Sequence, residues 1–227
     1  MSYTDEEILK GKKAIQQQQK EAMEKVKEEA ETEASASITD DEITLFGQSV
    51  HYERVSIPEL KISLLMPESF FRLADDMVQI IYPAGNRPSH VYSGENIIYQ
   101  VSFTKTVNQV PNDGIPKFLP MARKLMEKMG PKTRILNADT IAHSFMLGEE
   151  EKTYNIGIIE FISAAVDMNI YNVMFFFSIE NQLMIGNIVT QNKYKNRIAQ
   201  IAKETIDSLE IYEEEENTDG NNNVSES

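Results

Sequence analysis

Three histidines and one carboxylate are the groups in this sequence most able to move a proton or hold a metal ion. His51, His90 and His143 stand in separate stretches, with no HxH or HxxxH pair and no carboxylate pair at ligand spacing. A zinc-type site needs three or four such ligands converging, so no metal site is expected, and surface or half-buried imidazoles account for all three. Glu160 is different. Under strand alternation it shares one face with Ile156, Ile158 and Ile162, and a carboxylate buried there could serve as a general acid or base with a raised pKa. No nucleophile or second carboxylate accompanies it, so the reading adopted places Glu160 at the rim of a partly covered face or pairs it with a base.

The other chemical fingerprints are missing from the sequence. There is no cysteine, hence no disulfide, no thiolate metal site and no cysteine nucleophile, as is ordinary for a reduced cytosol. No GxSxG, Walker-type glycine loop or GxGxxG occurs, which removes the commoner hydrolase and nucleotide-binding motifs. No cofactor is expected. What remains is YPAGNRPSHVYS, residues 82–93, where Pro83 and Pro88 force the residues before them into extended conformations and Gly85-Asn86 permits a reversal. The segment is stiff by construction. It reads first as a structural corner feeding Tyr82 into the core, and second as a rigid presenter of Tyr82, Asn86, Arg87 and His90 to a partner.

Elements must position these residues. Val50 to Ile57, Lys61 to Met66, Met77 to Tyr82, Ile97 to Phe103, Thr140 to Leu147, Tyr154 to Ile162, Ile170 to Ile179 and Leu183 to Val189 read as strands, rich in Ile, Val, Phe and Tyr. Asp75 and Asp76 read as turn residues. The last four strands are joined by short links, and the one through Glu180 and Asn181 reads as a tight hairpin, so they form an antiparallel meander. In IYNVMFFFSI, Tyr171, Val173, Phe175, Phe177 and Ile179 make one apolar face while Met174 and Phe176 enrich the other. That strand should be central and covered on both sides.

Two helices supply cover. Ile115, Phe118, Leu119, Ala122, Leu125, Met126 and Met129 keep helical spacing, with Asp113 as a cap, Pro116 in the first turn, Pro120 as a kink or a delayed start, and Gly130-Pro131 as the stop. Met121, Met126 and Met129 read as core fillers, with an adaptable peptide groove as the alternative. Ile198, Ile201, Ala202, Thr205, Ile206 and Leu209 build a second apolar face after Asn192 as cap. The fold class is therefore α+β: an antiparallel sheet of about six to eight strands with helices packed on it.

Charge divides the 227-residue chain into three parts. Residues 1–42 carry twelve acids and six lysines, residues 210–227 carry seven acids and no base, and the stretch between holds 17 acids and 16 bases, so the net charge of -14 belongs to the ends. An arm at 1–42, helical or disordered, with a thin stripe through Ile8, Ile15, Ala22, Met23, Val26 and Ala30 is expected, then one globular domain at 43–210 and a disordered acidic tail at 211–227. The nearly neutral body lacks the basic stripe of a nucleic-acid binder. The opening MSYTDEEILKGKK has no apolar core of about seven residues and no run of about 18 apolar residues occurs, so neither signal peptide nor membrane span is expected and a cytoplasmic location is.

The element order resembles the PsbP-like superfamily, which includes extrinsic photosystem proteins, Ran-binding import factors and bacterial secretion-chaperone relatives. ISLLMPESFF, the hairpin and helix of VMFFFSIENQLMIGNIVTQNKYKNRIAQIAKETIDSLEI, and the YPAGNRP corner carry the likeness over about residues 48–210. It implies a PsbP-like sandwich and a non-enzymatic module with a protein partner, and it brings no catalytic residues to carry over. The acidic arm, and the lack of a lipoprotein or transit sequence, depart from several members. An adaptor or chaperone-like role is the first expectation. An enzyme centred on Glu160 or a histidine is the second, and requires Glu160, Arg87 and a histidine to converge in one pocket. The third is an immunity or antitoxin-like protein whose acidic ends cover a basic partner.

Overall fold

The computed structural model describes residues 37–212, apart from 84, 86, 96, 129–131, 148 and 166–167. Strands β1 (Ile43–Leu45), β2 (Gln48–Val50), β3 (Tyr52–Ile57), β4 (Ile62–Pro67) and β5 (Phe71–Arg72) lead to helix α1 (Asp75–Ile81), then β6 (His90–Ser93) and β7 (Tyr99–Gln109). Helix α2 (Ile115–Lys128) follows. The meander β8 (Arg134–Leu147), β9 (Glu150–Ala164), β10 (Asn169–Ile179) and β11 (Gln182–Gln191) comes next, and helix α3 (Lys195–Asp207) and β12 (Glu210–Ile211) end the series. A seven-stranded antiparallel sheet runs β5-β6-β7-β11-β10-β9-β8, and a three-stranded one runs β12-β4-β3. The α+β class and the antiparallel sheet carrying helices are as the sequence implies.

Alternation on β10 sets both layers. Tyr171, Val173, Phe175 and Phe177 pack with Ile57, Ile62, Leu64 and Met66 of the small sheet and with Ile198, Ile201 and Ile206 of α3 in the main core. On the opposite face Phe176 joins Ile159, Phe161 and Leu183 under Ile115, Leu119, Ala122 and Met126 of α2. The turn at Glu180 and Asn181 has φ of 50° and 64°, the pair of left-handed residues that a tight hairpin matched to strand twist requires. Phe175 lies directly opposite Gly186, and its ring covers the glycine so closely that a Cβ there would meet ring atoms inside van der Waals distance.

Hydrogen bonds seat α2. The Val110 amide donates to the Asn181 carbonyl at 2.8 Å, and the Ser178 hydroxyl donates to the Val110 carbonyl at 2.6 Å. The Asn112 side chain donates to the Thr153 carbonyl at 3.0 Å and accepts the Asn155 amide at 2.7 Å. Asn112–Gly114 form a 3-10 turn that enters the helix without a side-chain cap, so Asp113 is not the cap expected of it. Asn192 likewise opens a 3-10 turn before α3, whose N-cap is Tyr194. The helix runs through Pro120 without a break, and Met126 fills core while Met121 is 62% exposed. Met129 and Gly130-Pro131 lie outside the described residues.

Helix α1 corrects the strand expected at Met77 to Tyr82. Asp75 and Asp76 sit in its first turn, where carboxylates suit the helix dipole. Only Val78 of the helix is fully buried, and the Tyr82 amide closes it by donating to the Val78 carbonyl at 2.8 Å. A short apolar run reads alike as strand or helix, and one-sided packing decides between them. Packing of the body reaches from Ile38, 2% exposed, to Ile211, also 2% exposed. The helical stripe expected between Ile8 and Ala30 and the acidic tail after Tyr212 lie outside the described residues.

Replacing Gly186 with alanine should cost about 1–3 kcal/mol of stability by forcing the Phe175 ring off its seat. Urea unfolding reads this as a lower midpoint, and adding Phe175→Leu should return part of the loss; strictly additive effects would show that ring and glycine are not coupled.

Candidate functional site

The sequence-selected groups do not meet. The Glu160 carboxylate accepts the Tyr171 hydroxyl at 2.7 Å, so its partner is a phenol and not a base. Burial first, then the hydrogen bond and charge of Glu160, push the Tyr171 pKa far above its ordinary value. The phenol therefore stays a donor at any physiological pH. Four strand spacings of about 4.8 Å separate β9, which carries Glu160, from β6, which carries His90. His143 contacts the Leu209 carbonyl through Nε2 at 2.6 Å, and His51 is exposed. Among the described residues no group of three metal-ligating side chains comes together.

The corner residues also divide. Arg87 is exposed and its Nε donates to the Tyr82 carbonyl at 2.8 Å, tying the loop to the end of α1. Tyr82 turns inward, where its hydroxyl donates to Gln100 Oε1 at 3.0 Å. His90 faces the other side of the sheet, 6% exposed, with Nδ1 3.0 Å from Ser89 Oγ and Nε2 3.9 Å from Glu59 Oε1. Asn86 lies outside the described residues.

Tyr82 leads to a site that motif reading did not reach. Helix α1, through Val78, Ile81 and Tyr82, covers Val91 of β6, on the sheet face that α2 covers farther along. Among the described residues nothing covers the sheet between the two helices, and a cavity of about 340 Å³ forms over β7, β11 and β10. Its rim is aliphatic: Ile81, Ile97, Ile98, Met168, Ile170 and Val189. Its floor is amide: Gln100, Asn172 and Asn187. Asn172 Nδ2 donates to Ser163 Oγ at 3.2 Å and to the Ile170 carbonyl at 3.3 Å, and Asn187 Nδ2 reaches Asn172 Oδ1 at 3.5 Å. Asn187 Oδ1 is buried without a hydrogen-bond partner among the described residues. Tyr82, Thr190 and Gln191 complete the lining, and among the described residues no Asp, Glu, Lys, Arg or His joins it. Ile97 on the rim has φ of 53°, a left-handed conformation that a β-branched residue adopts only under constraint.

Strand alternation holds the clue that the sequence offered. Asn172 and Asn187 interrupt otherwise apolar strands, and buried amides on a covered face demand partners. That they converge depends on the register, which sets Asn172 opposite Val189, Val189 opposite Gln100, and Asn187 opposite Ser102.

No family model matches the chain, and no curated protein matches it. Among solved structures it is similar to cyanobacterial PsbP (CyanoP) from Synechocystis sp. PCC 6803, at 11% identity and a TM-score of 0.47, covering 71% of this chain and 92% of that one. It is also similar to a Pseudomonas aeruginosa protein of unknown function, at 11% identity and a TM-score of 0.38, over 70% of this chain and 95% of that one. These likenesses concern fold alone.

Burial first, then the charge of Arg72, holds the His90 pKa below its ordinary 6.5, with Glu59 opposing. The unfolded chain thus takes up the proton first, and the stability contributed by neutral His90 is whole above pH 6.5 and lost as pH falls below it. Urea unfolding of the wild type and of His90→Gln should show the wild type losing ground to the variant between about pH 7 and pH 5. A constant difference across that range would mean the imidazole is not buried neutral.

Proposed function

We propose that this chain is a non-catalytic protein-binding module, an adaptor or chaperone-like protein of the cytoplasm, that takes its partner at the cavity between α1 and α2. The observation that carries this reading is the lining: among the described residues it is aliphatic and amide side chains with the Tyr82 and Thr190 hydroxyls, and no Asp, Glu, Lys, Arg or His. Proton transfer and nucleophilic attack most often use such groups, and the two hydroxyls are already spent, Tyr82 on Gln100 Oε1 and Thr190 on the Ile98 carbonyl. An enzyme centred on Glu160 finds no support in Glu160's phenol partner or in the four strand spacings between it and His90. Tyr82 contributes a wall of the site and Arg87 holds the corner beside it, whereas His90 serves the fold from the far side. The acidic segments, 1–42 and 211–227, accompany the body and carry the excess negative charge of the chain.

Strain at Ile97 supports the same reading, because residues held in sparsely populated conformations gather where binding needs a fixed shape. Ile97→Asn, which tolerates a left-handed backbone, should be as stable as the wild type or more stable, by up to about 1 kcal/mol, and should bind the partner less well.

Affinity capture from cells tests the proposal when wild type is compared with Ile170→Arg, which sets a charge at the rim, and with Leu125→Arg on the exposed side of α2. The rim variant, at an unchanged urea midpoint, should retain at most about a tenth of the partner, and the α2 variant should retain all of it. Equal capture by wild type and Ile170→Arg would refute the cavity as the binding site.

A further inference from the structure

We infer that a groove beside the β1–β2 hairpin takes the guanidinium of an arginine on a protein partner. Tyr99 and Gln100 are successive residues of β7, and Tyr99 lines this groove while Gln100 lines the cavity. Strand alternation therefore sets the two sites on opposite faces of the sheet, and the inference does not depend on the binding reading above. The groove holds about 360 Å³, and its aromatic residues are Phe46, Phe70, Phe71 and Tyr99. Phe46 is held there by a tight turn: Leu45 pairs with Gln48, and Phe46 and Gly47 between them have φ of 56° and 76°. Such a turn favours Asn, Asp or Gly at its first position, so a phenylalanine keeps that conformation at a cost. Its ring rests on Tyr194 with centroids 4.5 Å apart. The next two rings come from the ISLLMPESFF segment. The Phe70 amide donates to the Pro67 carbonyl at 2.9 Å, which sets the Phe70 ring 5.1 Å from that of Tyr99. Phe71, 48% exposed, pairs with Ser93 on β6, two residues before Glu95.

Glu95 sets the charge of the ligand. Among the described residues it is the one charged side chain of the lining, with no Lys, Arg or His beside it. It is exposed, and has no ion-pair partner among the described residues. Two bases of the flanking elements are engaged elsewhere: Arg72 meets Glu59 at 3.0 Å, and Lys193 lies over the Tyr194 ring at 4.7 Å. A cation is drawn both by the aromatic faces and by the carboxylate, whereas an anion is repelled by both and a neutral group gains neither attraction. Between the two basic side chains, arginine fits better. Its planar group stacks on rings, grips a carboxylate through two N–H donors, and gives up less hydration than an ammonium in a groove whose rings accept no ordinary hydrogen bond.

Three capped tripeptides, acetyl-Leu-Arg-Leu-amide and its citrulline and Lys counterparts, test this on the full-length protein, with methylguanidinium as a free small cation. In aromatic 13C spectra the Arg peptide should shift the ring signals of Phe46, Phe70 and Phe71, and should bind at least about fivefold more tightly than the uncharged citrulline peptide. Glu95→Gln, and Phe71→Leu, which keeps an apolar side chain without a ring, should each weaken the Arg peptide at least about threefold at an unchanged urea midpoint. Ile170→Arg, in the cavity on the other face, should leave that affinity unchanged, so this inference and the cavity reading stand or fall separately. Arg and citrulline peptides binding alike, or wild-type affinity in both groove variants, would overturn the inference. So would a Lys peptide as tight as the Arg peptide, or methylguanidinium as tight, which would make the groove a site for a general ammonium or for a small molecule. Ring signals of the peptide-free protein that move when Lys10, Lys12 and Lys13 are changed to glutamine would also overturn it, by giving the groove to this chain's own N-terminal segment.

Discussion

The central strand of this sheet is apolar on both faces, and the described residues cover one face more fully than the other. Seven strands at about 4.8 Å span nearly 30 Å, and a helix with its side chains is about 10 Å wide. One face receives the three-stranded sheet and α3, which together close it over Tyr171, Phe175 and Phe177. Among the described residues the other receives α1, seven residues long, and α2, fourteen. Among the described residues two helices of that width leave a strip of sheet uncovered, and the cavity lies over it. Every other property of the site follows from where the gap falls.

The strip is not plain apolar surface, which would be a site of aggregation. Asn172, Asn187 and Gln100 stand in it at positions where the covered parts of the same strands carry Phe176, Leu183 and Ile185. The amides bind one another and Tyr82 in part. The result is a neutral surface with defined hydrogen-bonding directions, walled by aliphatic side chains and by Ile97 in its constrained conformation. Such a surface can select a partner without reacting with it. The same sheet keeps the titratable groups apart: Glu160 and His90 both face the main core, away from the cavity, but lie four strand spacings apart, and Glu160 is engaged by a phenol.

Much of the fold was legible in the sequence because its longest strands are strongly periodic. The alternation of Tyr171, Val173, Phe175 and Phe177 against Met174 and Phe176 marks a central strand, and Glu180-Asn181 marks the hairpin after it. Legibility failed where local pattern is short or where a side chain serves a distant strand. Seven residues at α1 carry too little periodicity to separate helix from strand, and the Asn112 side chain, spent on Thr153 and Asn155 of β9, shows how a sequence neighbour of a helix start can be recruited across the fold. For the site, only Tyr82 was singled out, and for its place in a stiff corner. The remaining lining residues come from α1, the loops before β7 and β10, and β7, β10 and β11, and strand register brings them together.

The rim of the cavity is built of methyl-bearing side chains, which makes its occupation directly visible. A methyl NMR footprint of the isotope-labelled protein with its captured partner should shift the signals of Ile81, Ile97, Ile98, Met168, Ile170 and Val189, and leave Met121 and Leu125 on α2 and Met146 on β8 unmoved. Shifts confined to Met121, Leu125 or Met146, with the rim silent, would contradict the claim that the uncovered strip of the sheet is where this protein binds.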